Sequence, residues 1–189
     1  MASGVVVDPA VSVAKFNRQV DQWRQHALEH GKRGIFVLEA NFPRVFAIFA
    51  NPQLRPSMVA FGAELDFTNY DLWPPSVRVV NPFTREPYTL ETLPPIVRTR
   101  VDPIQGPVAD PVLMFQENGE GEPFICMPGV REYHNHPAHT GDSWLLHRSS
   151  GAGSLFHILD KLHEFGVKPF GGYQFGIHIA GMSLAVPRP

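Results

Sequence analysis

GIFVLEANFPRVFAIFANP, residues 34–52, and SMVAFGAELDF, residues 57–67, are rich in Val, Ile and Phe and are cut by Pro43, by Asn51-Pro52 and by Pro56. Branched and aromatic side chains pack well on a pleated surface, and the runs between the prolines are strand-sized, so the spacing predicts three strands of an antiparallel meander. Downstream, NYDLWPPSVRVVNP at 69–82 carries a proline pair that forces an extended turn before Val77, Val79 and Val80 resume a strand. Upstream, Val13, Phe16, Val20, Trp23 and Ala27 recur at steps of three and four within Val11 to His30. That period predicts an N-terminal amphipathic helix ending at Gly31. Toward the other end, Ser154 is a candidate N-cap, and Leu155, Ile158, Leu159, Leu162 and Phe165 form a helical stripe closed by Gly166. A helix, a strand meander and a C-terminal helix together define an α+β fold.

The chain has 189 residues, 43% of them hydrophobic, enough for one core of ordinary size, so residues 1–189 are expected to form a single domain. Between Pro82 and Pro111 seven prolines exclude a regular helix, and the segment is expected to be a long surface excursion, with Thr92 to Val101 extended and Ile96, Val97 and Ile104 as its contacts to a partner or to the core. VLMFQ at 112–116 is a further short strand, ENGEGEP a turn, and the Gly-rich tail FGGYQFGIHIAGMSLAV a last strand. A net charge of −2, with basic residues scattered along the chain, leaves no footprint for nucleic acid. The longest apolar stretch, around Phe42 to Ala50, is too short to cross a bilayer, the N-terminus lacks a secretory pattern, and one cysteine cannot form an internal disulfide. A cytoplasmic protein is expected.

Chemistry is concentrated in CMPGVREYHNHPAHTGDSW, Cys126 to Trp144, where Cys126, Glu132, His134, His136 and His139 are potential metal donors and Asp142 follows at once. In an extended segment Glu132, His134 and His136 would share a face, Pro137 would turn the chain so that His139 approaches from another side, and Pro128-Gly129 would fold Cys126 back toward them. Mixed sulfur, imidazole and carboxylate donors are the usual company of zinc, and iron, nickel or cobalt fit as well. Zinc usually takes four ligands: Cys126, Glu132, His134 and His139 are the expected set, with His136 aimed away by Pro137 and Asp142 orienting a ligating imidazole. His147, His157, His163 and His178 have no ligand-like neighbours in sequence and are expected to be structural or exposed. Cys126 has a second reading: after an apolar Phe124-Ile125 and before a Pro-Gly turn it can be a nucleophile, the thiolate being the reactive form.

The order of elements, with Tyr70, Pro74-Pro75-Ser76-Val77, Phe124-Ile125-Cys126 and Trp144 before a C-terminal helix, is similar to that of ubiquitin-conjugating enzymes over roughly residues 11–166. In that family a tyrosine and a proline pair precede the fourth strand and the catalytic cysteine follows shortly. The string Cys126, Glu132-Tyr133-His134, His139-Thr140-Gly141-Asp142-Ser143-Trp144 resembles a bacterial family of predicted metal-binding domains with a Cys, Glu, His, His signature, encoded beside ubiquitin-like proteins and their activating and deconjugating enzymes. Where conjugating enzymes carry a His-Pro-Asn motif before the cysteine, this chain has Gly119-Glu120-Gly121-Glu122-Pro123, with Asn118 the nearest asparagine. The resemblance therefore implies the fold more firmly than the chemistry.

Three functions follow as expectations. The first is a conjugating or accessory factor in a prokaryotic ubiquitin-like modification pathway, partnered by a ubiquitin-like protein or its activating enzyme, with Cys126 accepting the modifier or ligating zinc. The second is a zinc-dependent hydrolase with Glu132 or Asp142 as general base. The third is a non-enzymatic binding module whose metal centre holds the loop together.

Overall fold

The computed structural model describes residues 8–93, 101–102, 106–107, 115–117 and 121–169. Two helices, α1 (Pro9–Gln25) and α2 (Ala27–Arg33), precede a sheet of four strands, β1 (Ile35–Asn41), β2 (Arg44–Asn51), β3 (Met58–Asp66) and β4 (Ser76–Val80), paired antiparallel in that order. Short paired strands follow: β5 (Val101–Asp102) with β6 (Gly106–Pro107), and β7 (Phe115–Glu117) with β8 (Pro123–Ile125). Then come α3 (Arg131–Asn135), a 3-10 turn at Pro137–His139, α4 (Trp144–His147), a second 3-10 turn at Arg148–Ser150, and α5 (Leu155–Gly166). The α+β class, the three-stranded meander and the further strand around Val77–Val80 expected from the sequence are present, and the four strands form one sheet.

The register explains why these runs fold as strands. Val45 faces Leu65, Ala47 faces Ala63 and Phe49 faces Phe61, while Leu65 and Ala63 also face Val77 and Val79. Because side chains alternate across a strand, this places one continuous apolar face on the sheet. Phe16, Val20 and Trp23 of α1 and Leu155, Ile158, Leu159 and Leu162 of α5 close over that face, and all join one core cluster with Ile125, Met127 and Val130. Phe49 and Phe61 stack with ring centroids 4.7 Å apart at its centre. On the opposite face the Arg85 guanidinium lies 4.1 Å from the centroid of the Phe46 ring and pairs with Glu39.

The N-terminal helix differs from expectation in its end. It breaks at His26, whose backbone leaves the helical region, and a second helix runs through Gly31 to Arg33. Gly34, not Gly31, ends it: φ is +90° there, Gly34 O accepts from Ala50 N–H at 2.8 Å, and a Cβ at this position would stand 2.0 Å from the Ala50 carbonyl oxygen. Only glycine tolerates both constraints. The break also moves Ala27 to the surface, and His30 takes a buried place, its ring stacked 3.6 Å from that of Trp23.

At α5 the Ser154 side chain accepts from His157 N–H, as its N-cap position predicts, and Leu155, Ile158, Leu159 and Leu162 are buried. Phe165 is half-buried and His163 is buried instead, while Gly166 lies inside the helix, with space for no Cβ beside Phe61. In the proline-rich excursion, Pro87 bridges Val80, and Leu93 is buried in the core, so its first part lies against the sheet. Residues 94–100, which hold most of the expected extended stretch, fall outside the described residues, as do Ile104, residues 112–114 of the expected VLMFQ strand and the tail from residue 170 onward. Among the described residues no helix is long and apolar enough to cross a membrane.

Candidate functional site

The loop from Tyr70 to Ser76 is the platform on which the His-rich segment sits. Tyr70 is buried, its hydroxyl accepting from Gln19 at 2.9 Å, and its carbonyl accepts from the Ser12 hydroxyl. Arg131 donates its backbone N–H to Pro75 O at 2.8 Å and its side chain to Pro74 O and Thr68 O. Trp144 is buried and its indole donates to Asp71 O at 3.0 Å. Both parts of the segment are thus docked on one turn, Arg131 on the carbonyls of the proline pair and Trp144 on that of Asp71.

Arg131 to Asn135 form a helix rather than the extended strand expected, which overturns the shared face of Glu132, His134 and His136. Residues two apart on a helix point about 200° from one another. Glu132 accordingly turns to β4, where its carboxylate accepts from the Ser76 hydroxyl and from Val77 N–H at 3.1 Å. Burial pushes its pKa up, opposed by those two hydrogen bonds. His134 turns the other way. Its Nδ1–H donates to Asp142 O at 2.8 Å, and Nε2 is buried with no hydrogen-bond partner. Burial holds its pKa below the usual histidine range. His136 caps the 3-10 turn, its Nδ1 accepting from Ala138 N–H at 3.2 Å, with its ring 5.5 Å from that of Phe124.

Cys126 follows β8, and its sulfur lies 3.3 Å from His139 Nε2. The thiol is half-buried, and burial pushes its pKa above the ordinary thiol value. Gly129 brings the loop close: its φ is +148°, and a Cβ there would stand 2.3 Å from Ala152 O. The His139 ring is held on its other side by Tyr133, stacked with centroids 3.9 Å apart and planes 20° from parallel. Tyr133 in turn donates its hydroxyl to Asp142 Oδ2 at 2.7 Å, and the other carboxylate oxygen accepts from His147 Nε2 at 2.6 Å. The hydrogen bond to Asp142, and then burial, raise the Tyr133 phenol to about 12. Asp142 is pulled below the usual carboxylate range, first by His147 and then by Tyr133.

Asp142 is therefore a hub with its carbonyl on one histidine and its two carboxylate oxygens on another histidine and a tyrosine. His147 and Tyr133 were missed as site residues by the sequence reading. The spacing from Asp142 to His147 is not a helical neighbour distance; between them Ser143 caps α4, its side chain accepting from Leu145 N–H. The stack of Tyr133 on His139 depends on the unexpected helix.

Among the described residues no group of three His, Cys, Asp or Glu side chains is gathered so as to hold a metal ion. The expected set Cys126, Glu132, His134 and His139 does not fit a shared ion in this arrangement, because Glu132 is engaged on β4 while Cys126 and His139 pair with each other. Three members still have donor geometry: Cys126 and His139, which pair with each other, and His134, whose ring is oriented through Nδ1 with Nε2 bare.

Fold and site define an α+β protein in which a thiol at the end of a short strand meets an imidazole from the 3-10 turn that follows a short helix. The chain belongs to the Y4jH family, whose sequence model matches residues 7–170 and so spans every residue of the site. A relative from Sinorhizobium fredii (strain NBRC 101917 / NGR234), described as uncharacterized protein y4jH, is 42% identical over 193 aligned residues, covering 96% of this chain and 94% of that protein. Neither description assigns a metal, a modifier or a reaction, and the chemistry rests on the site.

Proposed function

We propose that the protein is a thiol carrier of ubiquitin-conjugating type, acting in the cytoplasm in a prokaryotic ubiquitin-like modification pathway, with Cys126 as the modifier-accepting thiol. The observation that carries the reading is the 3.3 Å approach of Cys126 Sγ to His139 Nε2. A thiol whose pKa is raised by burial needs a nearby base to become a nucleophile near neutral pH, and His139 stands where that base must be. The order of helix, four-stranded antiparallel meander, cysteine after a short strand packed near β4, and C-terminal helix supports the resemblance to conjugating enzymes.

In the proposed step His139 Nε2 takes the thiol proton, and Cys126 Sγ attacks the thioester carbonyl of a ubiquitin-like protein carried on its activating enzyme. A new carbon–sulfur bond forms, the old one breaks, and the departing thiolate takes the proton back from His139. One thioester replaces another, so no oxidant or external energy is needed at this step. The Tyr133 ring stacks on the imidazole beside the sulfur and is itself held by its hydroxyl bond to the Asp142 carboxylate.

The hydrolase alternative has less support, because Glu132 accepts from Ser76 and Val77 and Asp142 accepts from Tyr133 and His147, leaving neither carboxylate unengaged as a base. The zinc reading, whether as a reactive or a structural centre, is favoured by one observation, the bare and buried Nε2 of His134 beside an Nδ1 already oriented by a carbonyl, the usual pose of a ligating imidazole.

The test combines iodoacetamide kinetics with elemental analysis of the wild-type, Cys126→Ala, His134→Ala and His139→Ala proteins. A metal-free protein whose Cys126 alkylation near neutral pH falls about tenfold or more in His139→Ala supports the carrier. Stoichiometric zinc, lost in both Cys126→Ala and His134→Ala, with an unreactive thiol, would replace it by the metal centre. Incubation with a ubiquitin-like protein, its activating enzyme and ATP should then give a thiol-cleavable adduct in wild type and a thiol-stable ester in Cys126→Ser.

A further inference from the structure

A cavity of about 480 Å³ lies where α2, β2 and α5 end, lined by Lys32, Arg33, Asn51, Gln53, His163 and Lys168 together with two apolar residues. Its lining holds three cations and no carboxylate. Lys32 and Arg33 reach sideways to Glu29 and Asp160, and Lys168 is exposed and in no ion pair among the described residues. The surface of the cleft therefore favours an anion.

His163 adds a more specific demand. The residue is only 6% exposed, its Nε2–H donates to Arg33 O at 2.8 Å, and Nδ1 is buried with no partner. Burial first, and then the nearby Arg33 charge, lower its pKa, so the ring is neutral near neutral pH and Nδ1 presents a lone pair. A buried acceptor without a donor destabilises the fold, and a ligand that supplies an O–H to it recovers that loss. Anionic charge and a hydroxyl donor on one small molecule are the properties of a phosphorylated sugar or nucleotide, and the volume is within the range of small-molecule sites.

We propose that this cleft binds a small sugar phosphate, the phosphate lying against Lys168 and Arg33 and a sugar hydroxyl donating to His163 Nδ1. The site is built from elements other than those that carry Cys126 and does not depend on the thiol reading. It is tested by titrating the full chain with ribose 5-phosphate, inorganic phosphate and ribose, read by calorimetry and by the ring nitrogen resonances of His163. Ribose 5-phosphate should bind more tightly than either fragment and shift the Nδ1 resonance. Lys168→Glu, at an exposed position, should weaken that binding by about tenfold or more while leaving thermal unfolding of the free protein unchanged. Absence of ribose 5-phosphate binding, binding indifferent to Lys168→Glu, or inorganic phosphate binding equally tightly would each overturn the proposal.

Discussion

The Glu132 carboxylate is held on β4 by the Ser76 hydroxyl and Val77 N–H, and that position makes a pH prediction. Burial raises its carboxyl pKa above the unfolded value. A raised folded pKa contributes stability that is fully present below the unfolded pKa and is lost as pH rises through the folded one. Urea unfolding on either side of the carboxylate range should show this loss in wild type and not in Glu132→Gln, which keeps an acceptor for Val77 N–H. Glu132→Ala leaves that N–H and the Ser76 hydroxyl unpaired and should cost about 1–3 kcal/mol. Tyr133 gives a second test at the same scale. Its phenol is held at about 12 chiefly by the Asp142 carboxylate. In Asp142→Asn the phenolate absorbance that Tyr133→Phe removes should appear at lower pH, toward the ordinary tyrosine range near about 10. The donor types in Cys126–Trp144 were legible from sequence because they are dense. Their partners were not, since Glu132 to Ser76 and Arg131 to Pro74 are pairings across more than fifty residues.

At the scale of elements, the strands were legible because prolines bound them and the apolar runs between are of strand length. The helix at Arg131–Asn135 was not, since five residues carry too little period to separate it from an extended segment. What holds that region in place is close approach of backbones. Gly129 abuts Ala152, and a Cβ on Gly153 would stand 2.6 Å from the Trp144 ring. Gly129→Ala, strained in φ and blocked by backbone, should cost about 1–3 kcal/mol and loosen the Cys126 loop, measured as faster alkylation at unchanged pH. Gly166→Ala sets two effects against each other. Alanine favours a helix by about 1 kcal/mol. Its Cβ, however, would stand 2.6 Å from the Phe61 ring, which is fully buried and flanked by Phe49. Overpacking wins, and we expect a net loss of about 1–3 kcal/mol by urea unfolding.

At the scale of the molecule, one core joins α1, α5 and the sheet to Ile125, Met127 and Val130 around the cysteine, so the site is mounted directly on the core. The carrier reading makes the fold independent of metal, and thermal unfolding should be the same with and without a chelator. A fall on chelation would mark a metal that contributes folding energy. The three tryptophans divide this molecule optically. Trp23 stacks on His30 in the core, Trp73 is about half exposed, and Trp144 is buried with its ring 5.9 Å from that of His134. Their emission bands should differ with solvent contact, and the imidazole beside each buried indole acts as a quencher set by its protonation and position. With Trp23 and Trp73 replaced by phenylalanine, the protein would carry one indole, seated against the site and excited apart from the tyrosines at the red edge of absorption, and any ligand, adduct or metal that moves His134 could be followed in real time by its light.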